Sequence, residues 1–498
     1  MTVERATKNF GWVFGLYLGR RALRLGYIAV FARVLQEQGF GNYYFLLQIV
    51  PILLAAGLFG LGVYVAREVS ARKEDAALLI GRSMGLGLAG TVTLAAVFAA
   101  VAPWMPYGAD VRLGMAIIAL GIIPRGIIIL LTSASTAYER LGLYAVLENA
   151  APLVEAAVGT VLLLTGHGLV SLCVLNAAVY TAYAIVFFVL VEKRIARFRI
   201  LFEPRTWGGI LRGSRMMWGF AALVVLATHF GTVILSAVAG NAQVGFFGVA
   251  MTLVDVIQAA AVAFGAAVFP YMVRAWQRSA DELKDFLGTC LRLLATGAVA
   301  LGFLAAILAA PALTLVFGPR FAAAAPVLRI LAWIVFPMLF EQIATQACFA
   351  AGRPGLPIAG HLVLNAARIG LGVWLVKAMG DRAAEGLAWA LLASSAIGFV
   401  TYSLLLSRAL GKFGAWTHLA RLAAAAAIPA ALAWWGWGRL NPWLLAPASA
   451  ALFVAGAWLV GCVDRREFEV VRRSVLAFRT RTPAEAADPA PAREESEV

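Results

Sequence analysis

Long runs of apolar residues without a single charge recur along this sequence. Residues 83–108 and 293–317 contain no Asp, Glu, Lys or Arg, and residues 156–191 are long enough for two passes around the turn at 166–168. A helix rises about 1.5 Å per residue, so roughly 20 apolar residues cross the hydrocarbon core of a bilayer. The runs are continuous and do not alternate with polar residues, as the strands of a membrane β-barrel would. We therefore expect an all-α, polytopic membrane protein.

The composition supports a membrane protein, because 62% of the residues are hydrophobic and only 13% are charged. A soluble domain carries about 25% charged residues and could not bury so much apolar surface. The hydropathy pattern predicts about fourteen transmembrane helices. They lie near residues 10–32, 40–66, 83–104, 113–134, 143–165, 168–191, 216–238, 243–270, 293–317, 324–350, 356–376, 386–407, 419–438 and 441–462.

The distribution of basic residues predicts the orientation. With a cytoplasmic N-terminus, most Lys and Arg residues of the short connections fall on the cytoplasmic side, as the positive-inside rule requires. This placement accounts for most of the net charge of +15 without a nucleic-acid partner. We expect both termini in the cytoplasm, membrane lipid as a neighbour of a basic amphipathic segment at 464–480, and a location in the bacterial inner membrane.

Two halves of the sequence resemble each other weakly. A shift of 213 residues places Pro124 on Pro337 and Arg140 on Arg353, and a slightly different shift matches the segment 39–44 with 243–248. Each half holds six predicted spans, so the repeats share one orientation, with a substrate path between them. We expect an N-terminal six-helix lobe at 1–200, a cytoplasmic linker at 201–215, a second six-helix lobe at 216–412, two additional helices at 413–462 and a cytoplasmic tail at 463–498.

Three segments carry a resemblance to a known family. They are residues 32–44 followed by Gly57, Gly60 and Gly62, residues 244–250 running on to 269–271, and residues 315–321. The chain resembles the oligosaccharide/polysaccharide flippases of the multidrug/oligosaccharidyl-lipid/polysaccharide exporter superfamily. The resemblance implies alternating access between two lobes, and a polyprenyl-pyrophosphate-linked oligosaccharide as substrate for lipopolysaccharide or exopolysaccharide synthesis. A polysaccharide polymerase and glycosyltransferases are the expected partners.

Arginines within the predicted spans are candidates for substrate binding. Arg20 and Arg24 share one face of the first helix with Tyr17 and Tyr27, and Arg21 lies beside them. Guanidinium groups bind the clustered oxygens of a pyrophosphate through paired hydrogen bonds. Arg125 follows Pro124, which could open the local backbone, and is a further candidate. The alternative is that these arginines pair with Glu148 or Glu155, or extend to the head-group layer.

Acidic residues within the spans are candidates for ion coupling. Glu148 and Glu155 lie seven residues apart on one helix face, and the repeat places His361 and Arg368 at the equivalent positions, on one stripe with Asn365. Arg368 is therefore a further candidate for substrate binding, although a structural ion pair between helices is an alternative.

Two further carboxylates lie in the middle of predicted spans. Asp255 and Glu341 are flanked by polar residues within the eighth and tenth spans, and a buried carboxylate could carry a proton. Structural pairing is again the alternative. His229 is a lone histidine on an apolar helix, and we expect it to be a core residue.

The same sequence argues against an enzyme. It contains no Gly-x-x-x-x-Gly-Lys-Ser/Thr loop for ATP, no metal-binding spacing of its four cysteines, and no outer loop long enough for a catalytic domain. We expect no catalytic residue, no cofactor and no metal. A multidrug or cation antiporter of the same superfamily and a lipid-linked peptidoglycan precursor flippase remain open as alternatives.

Overall fold

The part of the chain described by the computed structural model is helical. It covers residues 3–71, 73–138, 142–194, 198–353, 355–411 and 415–462, without the side chains of 3–22, 142–145, 259–267, 270 and 415–417. The α-helices are α1 Val3–Leu58, α2 Leu61–Ala71, α3 Ala76–Val101, α4 Ala109–Ala137, α5 Gly142–Leu164, α6 Leu169–Arg194, α7 Pro204–Ala239, α8 Asn241–Arg278, α9 Ala280–Ile307, α10 Ala309–Phe317, α11 Ala325–Leu331, α12 Val335–Ala350, α13 Gly355–Met379, α14 Ala383–Leu410, α15 Ala415–Gly436 and α16 Pro442–Leu459.

The predicted transmembrane helices are confirmed. Among the residues described, eleven helical stretches are long and apolar enough to cross a membrane. One of them, 355–410, contains two of the predicted spans, and another, 23–58, overlaps two. The predicted span at 243–270 lies within α8. We refer to α1–α6 as the first half and to α7–α14 as the second half, while α15 and α16 pack on each other and on α9 of the second half.

Several element boundaries differ from the sequence prediction. The connection expected near 33–39 is a single break inside α1 at Gln36, where φ is 60°. The span at 293–317 is divided between α9 and α10, and the span at 324–350 between α11 and α12 with a short 3₁₀ turn between them. α4 continues through Pro124, so Arg125 lies within a continuous helix.

The segment predicted as a linker at 201–215 is largely helical, because α7 begins at Pro204. The residues before it run along α3, where a side chain on Gly81 or Gly85 would overlap the carbonyl groups of Arg199 and Leu201. Arg82 of α3 donates to Glu203 at 2.8 Å. Glycine at these two positions therefore lets the connection between the halves lie directly against the first half.

The two halves meet where α1 crosses α8, and the crossing is reciprocal. A Cβ on Gly41 would overlap the carbonyl oxygen of Asn241, and a Cβ on Gly245 would overlap the carbonyl oxygen of Glu37. The sequence repeat pairs Gly41 with Gly245, and the same shift pairs Glu37 with Asn241. Equivalent residues thus make equivalent contacts across the crossing, as parallel repeats require. Glycine allows the backbones to approach this closely, as small residues commonly do between membrane helices.

The halves share one core at one end of the molecule, and only α7 joins them at the other. One core cluster combines residues of both halves around the crossing, among them Phe40, Leu46 and Val249. Towards the other end, the cluster around Met84 combines the first half with Ile210 of α7, whereas the cluster around Met272 lies within the second half. Beyond the end where α1 breaks, α7 therefore stays against the first half, while the other helices of the second half have a core of their own.

Substitution of Gly245 by alanine should loosen the crossing, because the added methyl group meets backbone atoms that cannot rotate away. Asn241 Nδ2 donates to Asn42 Oδ1 at 2.6 Å across the interface, so the pair Asn42→Cys and Asn241→Cys reports on closure. We expect Gly245→Ala to reduce disulfide formation between the two cysteines several-fold. Gly297→Ala on α9 is the matched control, because its Cβ would meet no heavy atom within 4 Å. Equal disulfide yields in Gly245→Ala and the control would contradict this account of the crossing.

Candidate substrate path between the two halves

An arginine and an aspartate from opposite halves face each other below the crossing. Arg24 of α1 places Nη1 3.9 Å from Oδ2 of Asp255 on α8, and the two side chains are 39% and 24% exposed. Arg24 precedes the break at Gln36 by about 18 Å of helix, which puts it near the middle of the hydrocarbon core. A charge in contact with acyl chains is costly, whereas a charge facing a partner across a hydrated gap is tolerated. The pair therefore marks the gap between the halves.

Three tyrosine side chains lie near this guanidinium group. Tyr27, Tyr43 and Tyr44 lie close enough to interact with it electrostatically, and Tyr43 and Tyr44 are buried in the joint core. Tyr27 lies on the arginine face predicted from the sequence. The side chains of Arg20 and Arg21 lie outside the residues described, so their predicted roles are untested. Arg24 is thus the part of the predicted arginine face that the structure places beside the second half.

A second polar contact joins the halves a short distance away. His229 Nδ1 of α7 lies within hydrogen-bonding distance of Gln48 Oε1 on α1. The histidine is half-buried and bonded across the interface between the halves, so it does more than fill the core of its own helix. Gln48 was not recognised from the sequence, although an amide within an apolar span is a detectable signal.

The first half contains a hydrogen-bonded network around Glu155, which is only 6% exposed. Glu155 Oε1 accepts from Tyr43 Oη at 3.1 Å and from Asn176 Nδ2 at 2.6 Å. Asn176 Oδ1 in turn accepts from Arg125 Nη2 at 2.9 Å, and the Arg125 guanidinium lies 3.6 Å from the centre of the Tyr180 ring. Arg125 thus belongs to a hydrogen-bonded network inside the first half. Asn176, which connects it to Glu155, was not predicted from the sequence.

Glu148 and Glu155 both face α6, as their spacing of seven residues predicts. Tyr183, seven residues after Asn176, donates to Glu148 Oε2 at 3.5 Å, so the two contacts form successive rungs between the antiparallel helices α5 and α6. Tyr43 connects the Glu155 rung to the tyrosines around Arg24. Glu148 and Glu155 therefore connect α5 to α6, and Tyr43 links Glu155 to the gap between the halves.

The second half places the other predicted residues together. His361 Nδ1 of α13 lies 3.2 Å from Glu341 Oε1 of α12, and Glu341 also interacts electrostatically with Arg368 on α13. Arg368 lines a small cavity of about 20 Å³ together with Thr228 of α7 and Phe247 of α8. The stripe of His361, Asn365 and Arg368 predicted from the sequence thus faces α12 and α7.

The chemistry available to the site is electrostatic. Arg24 can bind a substrate that carries negative charge and hydrogen-bond acceptors. Within the residues described, no group of His, Cys, Asp and Glu side chains has the arrangement of a metal site. Binding and conformational change are what this arrangement supports.

The sequence of this chain matches a known protein family. Residues 6–276 match the family described as "Polysaccharide biosynthesis protein", more than half of the chain. The chain belongs to the polysaccharide biosynthesis protein family. No curated protein sequence matches it.

Solved structures share the fold of this family member. The lipid II flippase MurJ in an inward closed conformation superposes with a TM-score of 0.70 at 12% identity, covering 92% of this chain and 99% of that one. An inward-facing multidrug resistance MATE transporter of the MOP superfamily gives 0.59 at 15% identity, with 79% and 95% covered. A MOP superfamily transporter from Pyrococcus furiosus gives 0.53 at 16% identity, with 82% and 97% covered. The predicted all-α, polytopic fold is therefore confirmed.

Asn176→Leu should destabilise the first half of this family member. The substitution removes a donor to the buried Glu155 carboxylate and an acceptor for Arg125, and each unpaired buried group costs about 1–3 kcal/mol. We expect a clear decrease of the thermal unfolding temperature of the protein in detergent. Thr181→Val on the same helix is the control, because the Thr181 hydroxyl group is exposed and bonds to its own helix. Equal unfolding temperatures for both variants would refute a stabilising role of the network.

Proposed function

We propose that the protein flips a polyprenyl-pyrophosphate-linked oligosaccharide from the cytoplasmic to the periplasmic leaflet. The observation that carries this proposal is Arg24, a guanidinium group near mid-membrane that faces the opposite half across the gap. Membership of the polysaccharide biosynthesis family supports a glycan-linked substrate. The fold shared with flippases and exporters supports transport as the activity.

The pyrophosphate is the part of this substrate that the site can bind most strongly. Its clustered oxygens accept paired hydrogen bonds from the Arg24 guanidinium. The distance of 3.9 Å between Arg24 and Asp255 is longer than a charge-assisted hydrogen bond, so the arginine retains donors for a ligand. The polyprenyl chain would remain in the bilayer beside the gap while the glycan occupies the hydrated space.

Alternating access gives the proposed transport its direction. The halves share one core at the end where α1 breaks, which is periplasmic if both termini are cytoplasmic, and towards the cytoplasmic end the helices of the second half other than α7 have a core of their own. In the proposed cycle, this state loads from the cytoplasmic leaflet of the inner membrane. Release of the reciprocal crossing would open the path to the periplasm. In this proposal, glycosyltransferases build the lipid-linked oligosaccharide before transport, and a polysaccharide polymerase receives it afterwards.

A lipid-linked peptidoglycan precursor is the second candidate substrate. The superposition on MurJ, named as a lipid II flippase, covers nearly the whole of both chains and favours this candidate. Deletion of the gene distinguishes the two substrates. Loss of surface polysaccharide in viable cells supports the oligosaccharide, whereas loss of viability supports the peptidoglycan precursor.

Arg24→Ala should weaken binding of a fluorescent polyprenyl pyrophosphate to the purified protein by about tenfold, the equivalent of 1.4 kcal/mol. Arg24→Lys should restore part of the affinity, because ammonium keeps the charge without the paired geometry. Arg278→Ala is the matched control, since Arg278 is exposed at the end of α8 and forms its ion pair with Glu282, four residues further along the chain.

The substitution Asp255→Asn tests whether Arg24 contacts the substrate or serves only to pair with Asp255. If Arg24 contacts the pyrophosphate, removal of the competing carboxylate leaves affinity unchanged or raises it. If Arg24 serves only to pair with Asp255, Asp255→Asn should weaken binding as much as Arg24→Ala does, and the proposed contact is wrong. Unchanged affinity in Arg24→Ala would also refute it.

A further inference from the structure

Two cavities flank the crossing of α1 and α8 at the end where α1 breaks. The larger, of about 540 Å³, lies where the connection between α3 and α4 meets the junction of α7 and α8. The smaller, of about 360 Å³, lies where the 3₁₀ turn at 319–324 meets the break in α1. Both volumes fall in the range of small-molecule sites, about 300–1,000 Å³. Arg24 is not among the residues that line them.

The internal repeat makes the two cavities equivalent to each other. The shift that pairs the glycines of the crossing also pairs Gln36 with Gly240, and both residues have a positive φ, of 60° and 80°. The shift of 213 residues pairs the lining residues at 106–108 with those at 319–321. The cavities are therefore one feature of the fold, present once in each half, and their side chains can be compared position by position.

Two arginines distinguish the smaller cavity from the larger one. Arg33 and Arg320 line it, and the equivalent positions in the larger cavity carry Ala237 and Tyr107. Both arginines are exposed, and they come from opposite halves of the molecule. The smaller cavity therefore presents two positive charges at positions that are uncharged in its equivalent.

These two guanidinium groups now bond mainly to neutral acceptors. Arg33 Nε donates to the Val316 carbonyl at 3.0 Å, and Arg320 donates to the Gln36 side chain. The Glu37 carboxylate lies 3.9 Å from Arg320 Nη1, which is longer than a charge-assisted hydrogen bond, and Glu37 does not line the cavity. An oxyanion is a stronger acceptor for guanidinium than a carbonyl or amide oxygen and can accept two parallel bonds. The cavity thus offers an oxyanion stronger bonds than its arginines now make.

The smaller cavity lies at the depth of the lipid phosphates. Arg24 is near mid-membrane, and the break at Gln36 follows it by about 18 Å of helix. Half of the hydrocarbon core is about 15 Å thick, so the break and the cavity beside it reach the head-group layer. Basic pockets between membrane helices bind lipid head groups at this level.

We propose that Arg33 and Arg320 form a binding site for the phosphate of a lipid at the end of the molecule where α1 breaks. The phosphate belongs either to an anionic phospholipid or to the pyrophosphate of a polyprenyl carrier, because both place phosphate oxygens at this depth. The site is separate from the one around Arg24. It rests on the proposed function only for the second of these two sources.

The test uses the full chain in nanodiscs of phosphatidylcholine, with inorganic pyrophosphate as the probe. Arg24→Ala removes the contact proposed for the central site, so the binding that remains reports on the cavity. We expect titration calorimetry to detect a single site in this variant. Addition of Arg33→Ala or Arg320→Tyr should weaken binding by about tenfold. Each substitution introduces the residue that the equivalent position carries in the larger cavity, which limits the risk of misfolding.

Arg112→Ala in the same background is the matched control. Arg112 lies at the same end of the molecule and also bonds to a backbone carbonyl group, that of Pro103 at 2.8 Å, but it lines neither cavity. Equal affinity in the cavity variants and the control, or no binding to the Arg24→Ala protein, would overturn the proposal. Because Arg24 is absent from every protein compared, the cavity site can fail while the oligosaccharide assignment stands, and the reverse also holds.

Competition identifies the lipid that supplies the phosphate. If phosphatidylglycerol in the nanodisc displaces pyrophosphate from the Arg24→Ala protein, the ligand is an anionic phospholipid. If polyprenyl pyrophosphate displaces it and phosphatidylglycerol does not, the ligand is the carrier. Displacement by neither lipid would overturn a lipid-borne phosphate as the ligand of this cavity.

Discussion

The close approach of α1 and α8 at two equivalent glycines is the contact on which the arrangement of the halves depends. Gly41 and Gly245 each lie against a backbone carbonyl group of the other helix, so that no larger residue fits. Because the contact is backbone to backbone, it fixes the distance between the halves at one end without long side chains. Around it the two halves share one core, and away from it α7 joins the core of the first half while the other helices of the second half have their own.

This arrangement explains how a protein with few charges can keep some of them near mid-membrane. Arg24 and Asp255 face each other in the gap, and the Glu155 network is closed by Tyr43, Asn176 and, through the asparagine, Arg125. The second half differs at the equivalent positions, where a histidine and an arginine replace the two glutamates. The first half thus holds its charges in a hydrogen-bonded network, whereas in the second half Glu341 interacts with both a histidine and an arginine.

The sequence was sufficient to predict the helices, since continuous apolar runs leave a bilayer-spanning helix as the stable conformation. It also predicted the parallel repeat, because the matched glycines are those that the crossing requires. It did not predict the break at Gln36 as a single residue or the helical form of 204–215, since both depend on tertiary packing. Spacing placed Glu148 and Glu155 on one face, but the partners Asn176 and Tyr183 could be identified only once α6 was seen beside α5.

The central claim is that the gap between the halves holds the pyrophosphate of a lipid-linked glycan against Arg24. A cryo-electron microscopy structure of the protein with a polyprenyl-pyrophosphate-linked oligosaccharide tests it most directly. The account predicts phosphate density within hydrogen-bonding distance of the Arg24 guanidinium, between α1 and α8, with the prenyl chain leaving the gap into lipid. Density bound only on the outer, lipid-facing surface, with Arg24 still directed at Asp255, would contradict it.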